Sequence, residues 1–173
     1  MKKILLFIIL TFLVLPCSAE QKINVYKSSN PEASKILYEF QLKEQKITPK
    51  KAFDLFNYNL SSVYAFFYDL DMDGTNEVIG IIDSNYFYCL QGYELFILKK
   101  DNMEYKNLSK VNFYPNMDIY ILEHQTDGYF DLKVHHIITK LLSQDKNFLE
   151  QKELSSVLKY NNKEKCYKYF FPN

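Results

Sequence analysis

The fifteen residues from Tyr68 to Ile82, Tyr-Asp-Leu-Asp-Met-Asp-Gly-Thr-Asn-Glu-Val-Ile-Gly-Ile-Ile, constrain the fold more than any other stretch of this chain. Asp69, Asp71 and Asp73 alternate, Gly74 follows, and Glu77 closes the run. Alternation turns the three aspartates toward one point, and glycine accepts the sharp backbone turn that wraps the chain around it. Carboxylates so gathered repel by about 4 kcal/mol per pair at 4 Å and an effective dielectric of 20. The loop is therefore expected to be mobile or partly protonated unless a cation sits within it. Calcium suits it best, since that ion takes roughly six to eight hard oxygen ligands at about 2.3–2.6 Å, whereas magnesium keeps its waters and demands tighter octahedral geometry. The expected ligands are the side chains of Asp69, Asp71, Asp73 and Glu77 and the carbonyl of Thr75, with water completing the shell. The pattern matches an EF-hand loop at its first, third, fifth and sixth positions. It departs at the twelfth, where Gly80 stands in place of a bidentate glutamate. Val78-Ile79-Gly80-Ile81-Ile82 follows Glu77 at once and is strand-like, so the expectation is an EF-hand-like calcium loop that feeds a β-strand.

Around this loop the pattern predicts an α+β fold, mainly an antiparallel β-sheet with one or two N-terminal helices packed on it. Asn30-Pro31-Glu32 reads as a helix start, with asparagine as cap, proline at the first helical position and an acid in the first turn. Ile36, Leu37 and Phe40 then share a face. Thr48-Pro49 repeats the signal, with Ala52, Phe53 and Phe56 as a second apolar face. From Ser62 onward the character is β. Strands are expected at Val63–Tyr68, Glu77–Ile82, Tyr93–Lys100, Glu104–Leu108, Asp118–Glu123, Tyr129–Ile138, Val157–Tyr160 and Lys165–Phe171. Asp127-Gly128 is a two-residue hairpin signal, and Asn161-Asn162 marks a closing hairpin. Leu141 to Ser155 is ambiguous between helix and strand.

The N-terminus is read apart from the fold. Lys2 and Lys3, an apolar run of 12 residues from Ile4 to Leu15, and Cys17-Ser18-Ala19 make up the three regions of a secretory signal peptide over residues 1–19. The run falls short of the roughly 20 residues needed to span a bilayer, so the mature chain, a single domain over residues 20–173, is expected in the periplasm or secreted, with no transmembrane segment. Pro16 before Cys17 disfavours a lipoprotein. In an oxidising compartment the two mature cysteines, Cys89 and Cys166, are expected to pair. Buried free thiols are the alternative. Removing Lys2 and Lys3 from the 21 basic residues leaves 19 against 21 acids, a difference of −2, and every basic residue is lysine. There is no basic excess for nucleic acid and no arginine for bidentate recognition of phosphate or carboxylate.

Catalytic signals are absent from the sequence pattern. His124, His135 and His136 are the three histidines, in no zinc-binding spacing, and no serine or cysteine lies in a nucleophile motif. The 15 tyrosines and 14 phenylalanines belong mostly to strands and core. The segment Tyr86-Phe87-Tyr88 lies in an apparent loop and is a candidate surface for anchoring a protein partner.

Phe66 to Ile82 resembles the calcium loops of FG-GAP and VCBS-type extracellular repeats. More of the chain, roughly Val63 to Tyr169, is similar to small bacterial periplasmic proteins with a D-x-[DN]-x-D-G-x-x-E loop. The matching stretches are Cys89-Leu90-Gln91-Gly92, Leu95-Phe96-Ile97-Leu98, Thr126 to Leu132, and Asn161-Asn162-Lys163. Tyr93 stands where such proteins often carry a second cysteine, and Asn162 replaces their hairpin glycine. The resemblance implies export and a calcium loop, and no reaction. The expectation is an exported, calcium-binding, non-enzymatic β-rich module that acts on an unknown protein or cell-envelope partner. The alternatives are a periplasmic inhibitor or immunity protein directed at a cell-wall-degrading enzyme and, behind it, a hydrolase.

Overall fold

A computed structural model describes residues 20–84, 88–89, 92–109, 111–113, 118–141 and 149–170. The signal peptide read over residues 1–19 lies outside them. The elements in chain order are β1 (Gln21–Asn24), α1 (Pro31–Gln45), α2 (Pro49–Phe56), a single 3-10 turn (Leu60–Ser62), β2 (Val63–Tyr68), β3 (Glu77–Ile82), β4 (Tyr88–Cys89), β5 (Gly92–Asp101), β6 (Glu104–Asn107), β7 (Val111–Phe113), β8 (Asp118–Thr126), β9 (Tyr129–Leu141), β10 (Leu149–Asn161) and β11 (Cys166–Phe170). The fold is α+β, with two antiparallel sheets and the helices N-terminal to most of the strands. No helix among the described residues is long and apolar enough to cross a membrane.

Both helices begin where local chemistry requires. The Asn30 side chain accepts hydrogen bonds from the backbone N–H groups of Glu32 and Ala33, and that of Thr48 from Lys51. Each cap satisfies donors that the first turn leaves without a partner. Both helices end on a left-handed residue, Lys46 and Asn57. The expected apolar faces hold in part. Leu37 and Ala52 are buried, but Phe53 is 51% exposed.

The sheets stack in layers. The five-stranded sheet runs β1-β8-β9-β10-β11; the other runs β2-β3-β5-β4, with β6 and β7 also paired to β5. β3 is buried at all six positions. Val78 and Ile82 pack with Leu37, Ala52 and Tyr58 on the helix side, while Ile79 and Ile81 join Ile121, Leu132, Val134 and Leu158 between the sheets. A strand covered on both faces reads as a continuous apolar run, as this one does. Two seams tie the sheets together: Phe130 N–H donates to the Leu70 carbonyl at 2.8 Å, and Tyr167 N–H donates to the Leu108 carbonyl at 2.6 Å.

At Asp127-Gly128, φ values of +54° and +86° form the hairpin turn between β8 and β9. The ambiguous stretch resolves in part, as a strand from Leu149, long enough to pair with β9 as far as Leu158↔Leu132. The expected Cys89–Cys166 bridge is corrected. Cys166 is a free, buried thiol at the start of β11, opposite Asn161. Cys89 belongs to β4 of the other sheet, with its backbone paired to Gly92, and its side chain lies outside the described residues. Of the candidate partner surface, Tyr86 and Phe87 lie outside the described residues. Tyr88 pairs with Tyr93 through the backbone of β4, and its side chain lies outside the described residues.

Candidate metal centre

The acidic loop leaves β2 at Tyr68 and rejoins the sheet at Glu77, directly across from it in the β2–β3 ladder. The turn between them is built locally. The Asp69 carboxylate accepts from the backbone N–H of Asp73 at 3.2 Å and of Gly74 at 3.0 Å, and Thr75 N–H donates to Asp73 Oδ1 at 2.7 Å. Gly74 takes φ +84°, with open space where a Cβ would stand, so backbone conformation and not crowding requires glycine there. Met72 also adopts a left-handed φ, +55°, and is exposed.

Asp69, Asp71 and Glu77 each bring one carboxylate oxygen within 4.8 Å of the others, so this group could hold a metal ion. Oxygens bound around a calcium at about 2.3–2.6 Å lie no more than about 5 Å apart, which is this spacing. Asp73 and Thr75, also expected as ligands, are not among these three; the Thr75 N–H donates to Asp73. Asp73 takes part through a residue the sequence reading missed, Lys99. The Lys99 ammonium hydrogen-bonds Asp71 Oδ2 and, at 2.8 Å, Asp73 Oδ2, and it lies 3.3 Å from Glu77 Oε1. The loop is expected to need a cation, and the chain itself supplies one, the Lys99 ammonium.

Register explains why. Val78 pairs with Leu98, so the next rung sets Lys99 across from Glu77. Alternation puts Lys99 on the same face of β5 as Leu95 and Ile97, which point between the sheets. A lysine in that inward phase of an apolar strand was the available signal. Its ammonium also lies 5.4 Å from the centroid of the Tyr129 ring, which stacks on Tyr160 at 4.0 Å.

The electrostatics follow from this geometry. Glu77 is fully buried, and burial pushes its carboxyl above the usual range, although the N–H of Leu70 donates to Oε2 at 2.8 Å. Hydrogen bonds from Lys99 and then from the Thr75 N–H hold Asp73 below the usual range. Desolvation opposes the charge on Lys99, but its bonds to Asp71 and Asp73 prevail and raise its pKa. Among the described residues, Asp71 Oδ1 and Glu77 Oε1 are buried without any hydrogen-bond partner. The Glu77 oxygen has the Lys99 charge nearby but not in hydrogen-bonding geometry. Buried carboxylate oxygens in native proteins are ordinarily paired or metal-bound. The donor set is all oxygen and mostly anionic, which fits a hard divalent cation.

A second polar cluster lies on the five-stranded sheet. The β8–β9 register shifts between Ile121 and Gln125, and this bulge sets His124 Nδ1 2.8 Å from the buried Asp131 Oδ2, with Lys159 Nζ at 3.7 Å. His135 instead meets Ser155 Oγ at 3.0 Å, and the side chain of His136 lies outside the described residues. Asp127 accepts from Asn162 N–H at 3.0 Å. Neither Asp127 nor Asp131 belongs to the metal group.

Comparison with protein-family models, with curated proteins and with solved structures gives no match for this chain.

Proposed function

We propose that this chain is an exported calcium-binding module, non-enzymatic, whose sheet is clamped by the ion and which acts by engaging a partner outside the cytoplasm. The carrying observation is the pair of buried carboxylate oxygens, Asp71 Oδ1 and Glu77 Oε1, without hydrogen-bond partners inside an all-oxygen group. Calcium would be held by Asp69, Asp71 and Glu77, with Asp73 and Thr75 at the rim. It would supply the charge compensation that one ammonium cannot give to four carboxylates. The site bridges the end of β2 to the start of β3 and abuts the β8–β9 hairpin through the Phe130–Leu70 hydrogen bond, so an ion there stiffens both sheets. Partner binding draws support from the apolar side chains left at the surface of α2 and the turn after it, Phe53, Leu55 and Leu60.

Thermal unfolding of the mature chain in EDTA and in millimolar calcium tests this reading. An ion that binds only the folded form adds about 2.7 kcal/mol at 100 times its dissociation constant, which for a chain of this length raises the midpoint by roughly 5–10 °C. Equal midpoints with and without calcium would refute the metal reading.

A further inference from the structure

We propose that Lys99 is an intramolecular rival of calcium: its ammonium neutralises the acidic loop in calcium-free solution, and the ion binds by displacing it. This inference rests on the metal reading above and adds how the site is regulated, by exchange of one cation for another.

Three observations carry it. First, the ammonium occupies the heart of the group, bonded to Asp71 and Asp73 and 3.3 Å from Glu77. Asp71 and Glu77 are two of the three carboxylates that could hold the ion, and Asp73 lies at its rim. An ion within coordination distance of Asp71 and Glu77 would lie beside Nζ, and two cations so close in a half-buried site repel strongly. Second, Lys99 does not complete the site. Its two hydrogen bonds go to Asp71 Oδ2 and Asp73 Oδ2, leaving Asp71 Oδ1 and Glu77 Oε1 without one, and Glu77 is fully buried. The ammonium is thus a partial substitute, which a divalent ion coordinating those same oxygens would outdo. Third, the lysine has a route out. Its side chain is 23% exposed, and its ammonium already lies 5.4 Å from the Tyr129 ring. A flexible stem can swing the charge to solvent past that aromatic face without moving β5.

Two consequences follow. The loop keeps its fold without calcium, because the chain carries its own counter-ion. Calcium affinity is weakened by the work of expelling Lys99, so removing that ammonium strengthens binding.

The test is calorimetric titration with calcium chloride of the wild-type mature chain, of Lys99→Met, and of Lys106→Met. The last removes the same charge from an exposed pair with Asp101. Lys99→Met should bind calcium at least about tenfold more tightly than wild type, within the range usual for coupled sites. It should also melt below wild type in EDTA and recover that difference in calcium, while Lys106→Met tracks wild type. Should Lys99→Met fail to fold, the wild-type chain labelled with ¹⁵N-lysine decides by NMR. One ammonium signal, slow to exchange in EDTA, should lose its protection on adding calcium. If wild type and Lys99→Met bind equally, or that ammonium signal is unmoved by saturating calcium, the exchange is refuted and the metal reading stands. If neither chain binds calcium, both fall.

Discussion

Replacing Gly80 by alanine probes why the EF-hand-like pattern breaks at its twelfth position. Gly80 sits in the middle of β3, opposite Ala65 of β2 and Phe96 of β5. A methyl group added there would stand 2.5 Å from Ala65 Cβ, 2.5 Å from the Tyr64 carbonyl oxygen and 2.8 Å from Ala65 Cα. Carbon atoms rest at about 3.5–4.0 Å. The obstruction is backbone and a Cβ, not the free end of a side chain, so β2 and β3 must move apart. Overpacking of this kind costs about 1–3 kcal/mol, and a rigid neighbour argues for the upper end. Against it, losing a strand glycine returns about 0.5–1 kcal/mol. The net expectation is about 2 kcal/mol, which at a urea dependence near 2 kcal/mol per molar lowers the unfolding midpoint by about 1 M. With no tryptophan in the chain, far-ultraviolet circular dichroism is the natural readout. The double variant Ala65→Gly/Gly80→Ala removes one of the two closest contacts. It should be more stable than the sum of the single effects implies, with a coupling above about 0.5 kcal/mol. Unchanged stability in Gly80→Ala, or strict additivity in the double variant, would refute the steric account. A loss confined to calcium binding would return Gly80 to the loop as a metal-site residue.

Two further outcomes are expected elsewhere. Ser34 Oγ accepts from the N–H of Ala65 at 3.1 Å, capping a donor on β2, the edge strand of its sheet. Ser34→Ala should cost about 1–2 kcal/mol in urea unfolding and speed amide exchange at Ala65. Burial pushes the Glu94 carboxyl above its ordinary range. A raised acid favours folding below its unfolded pKa and loses that contribution as pH rises through the folded value. Glu94→Gln should therefore be more stable than wild type at neutral pH, with the gap closing toward about pH 4. A gap that widens on acidification would contradict the sign.

Much of this fold was legible because its signals are local. Asn30-Pro31 and Thr48-Pro49 start helices by satisfying N–H groups two or three residues away. Asp127-Gly128 turns a hairpin through two left-handed backbones. Even the curl of the acidic loop is made by Asp69 and Asp73 with N–H groups within five residues. The cysteines show the limit. Secretion chemistry favours a bridge, but Cys89 and Cys166 fall in different sheets, and Cys166 is a free thiol. What surrounds Cys166 at the start of β11 is set by tertiary packing, which no spacing in the chain reveals.

The sequence by itself therefore determined the class of the protein: helices first, antiparallel strands after, and an acidic turn with the ligand chemistry of a hard cation. It could do so because caps, turns and alternation act over a few residues. What only the tertiary structure decided is how that turn is neutralised. Lys99 lies 26 residues beyond Asp73, and its charge reaches the carboxylates because β5 pairs with β3 in one register, Val78 against Leu98. A shift of one residue would turn that ammonium to the helix face. The same holds for His124 and Asp131, joined by a bulge in the β8–β9 ladder. Charge partners across strands are set by register, and register is set by the packing of the whole core.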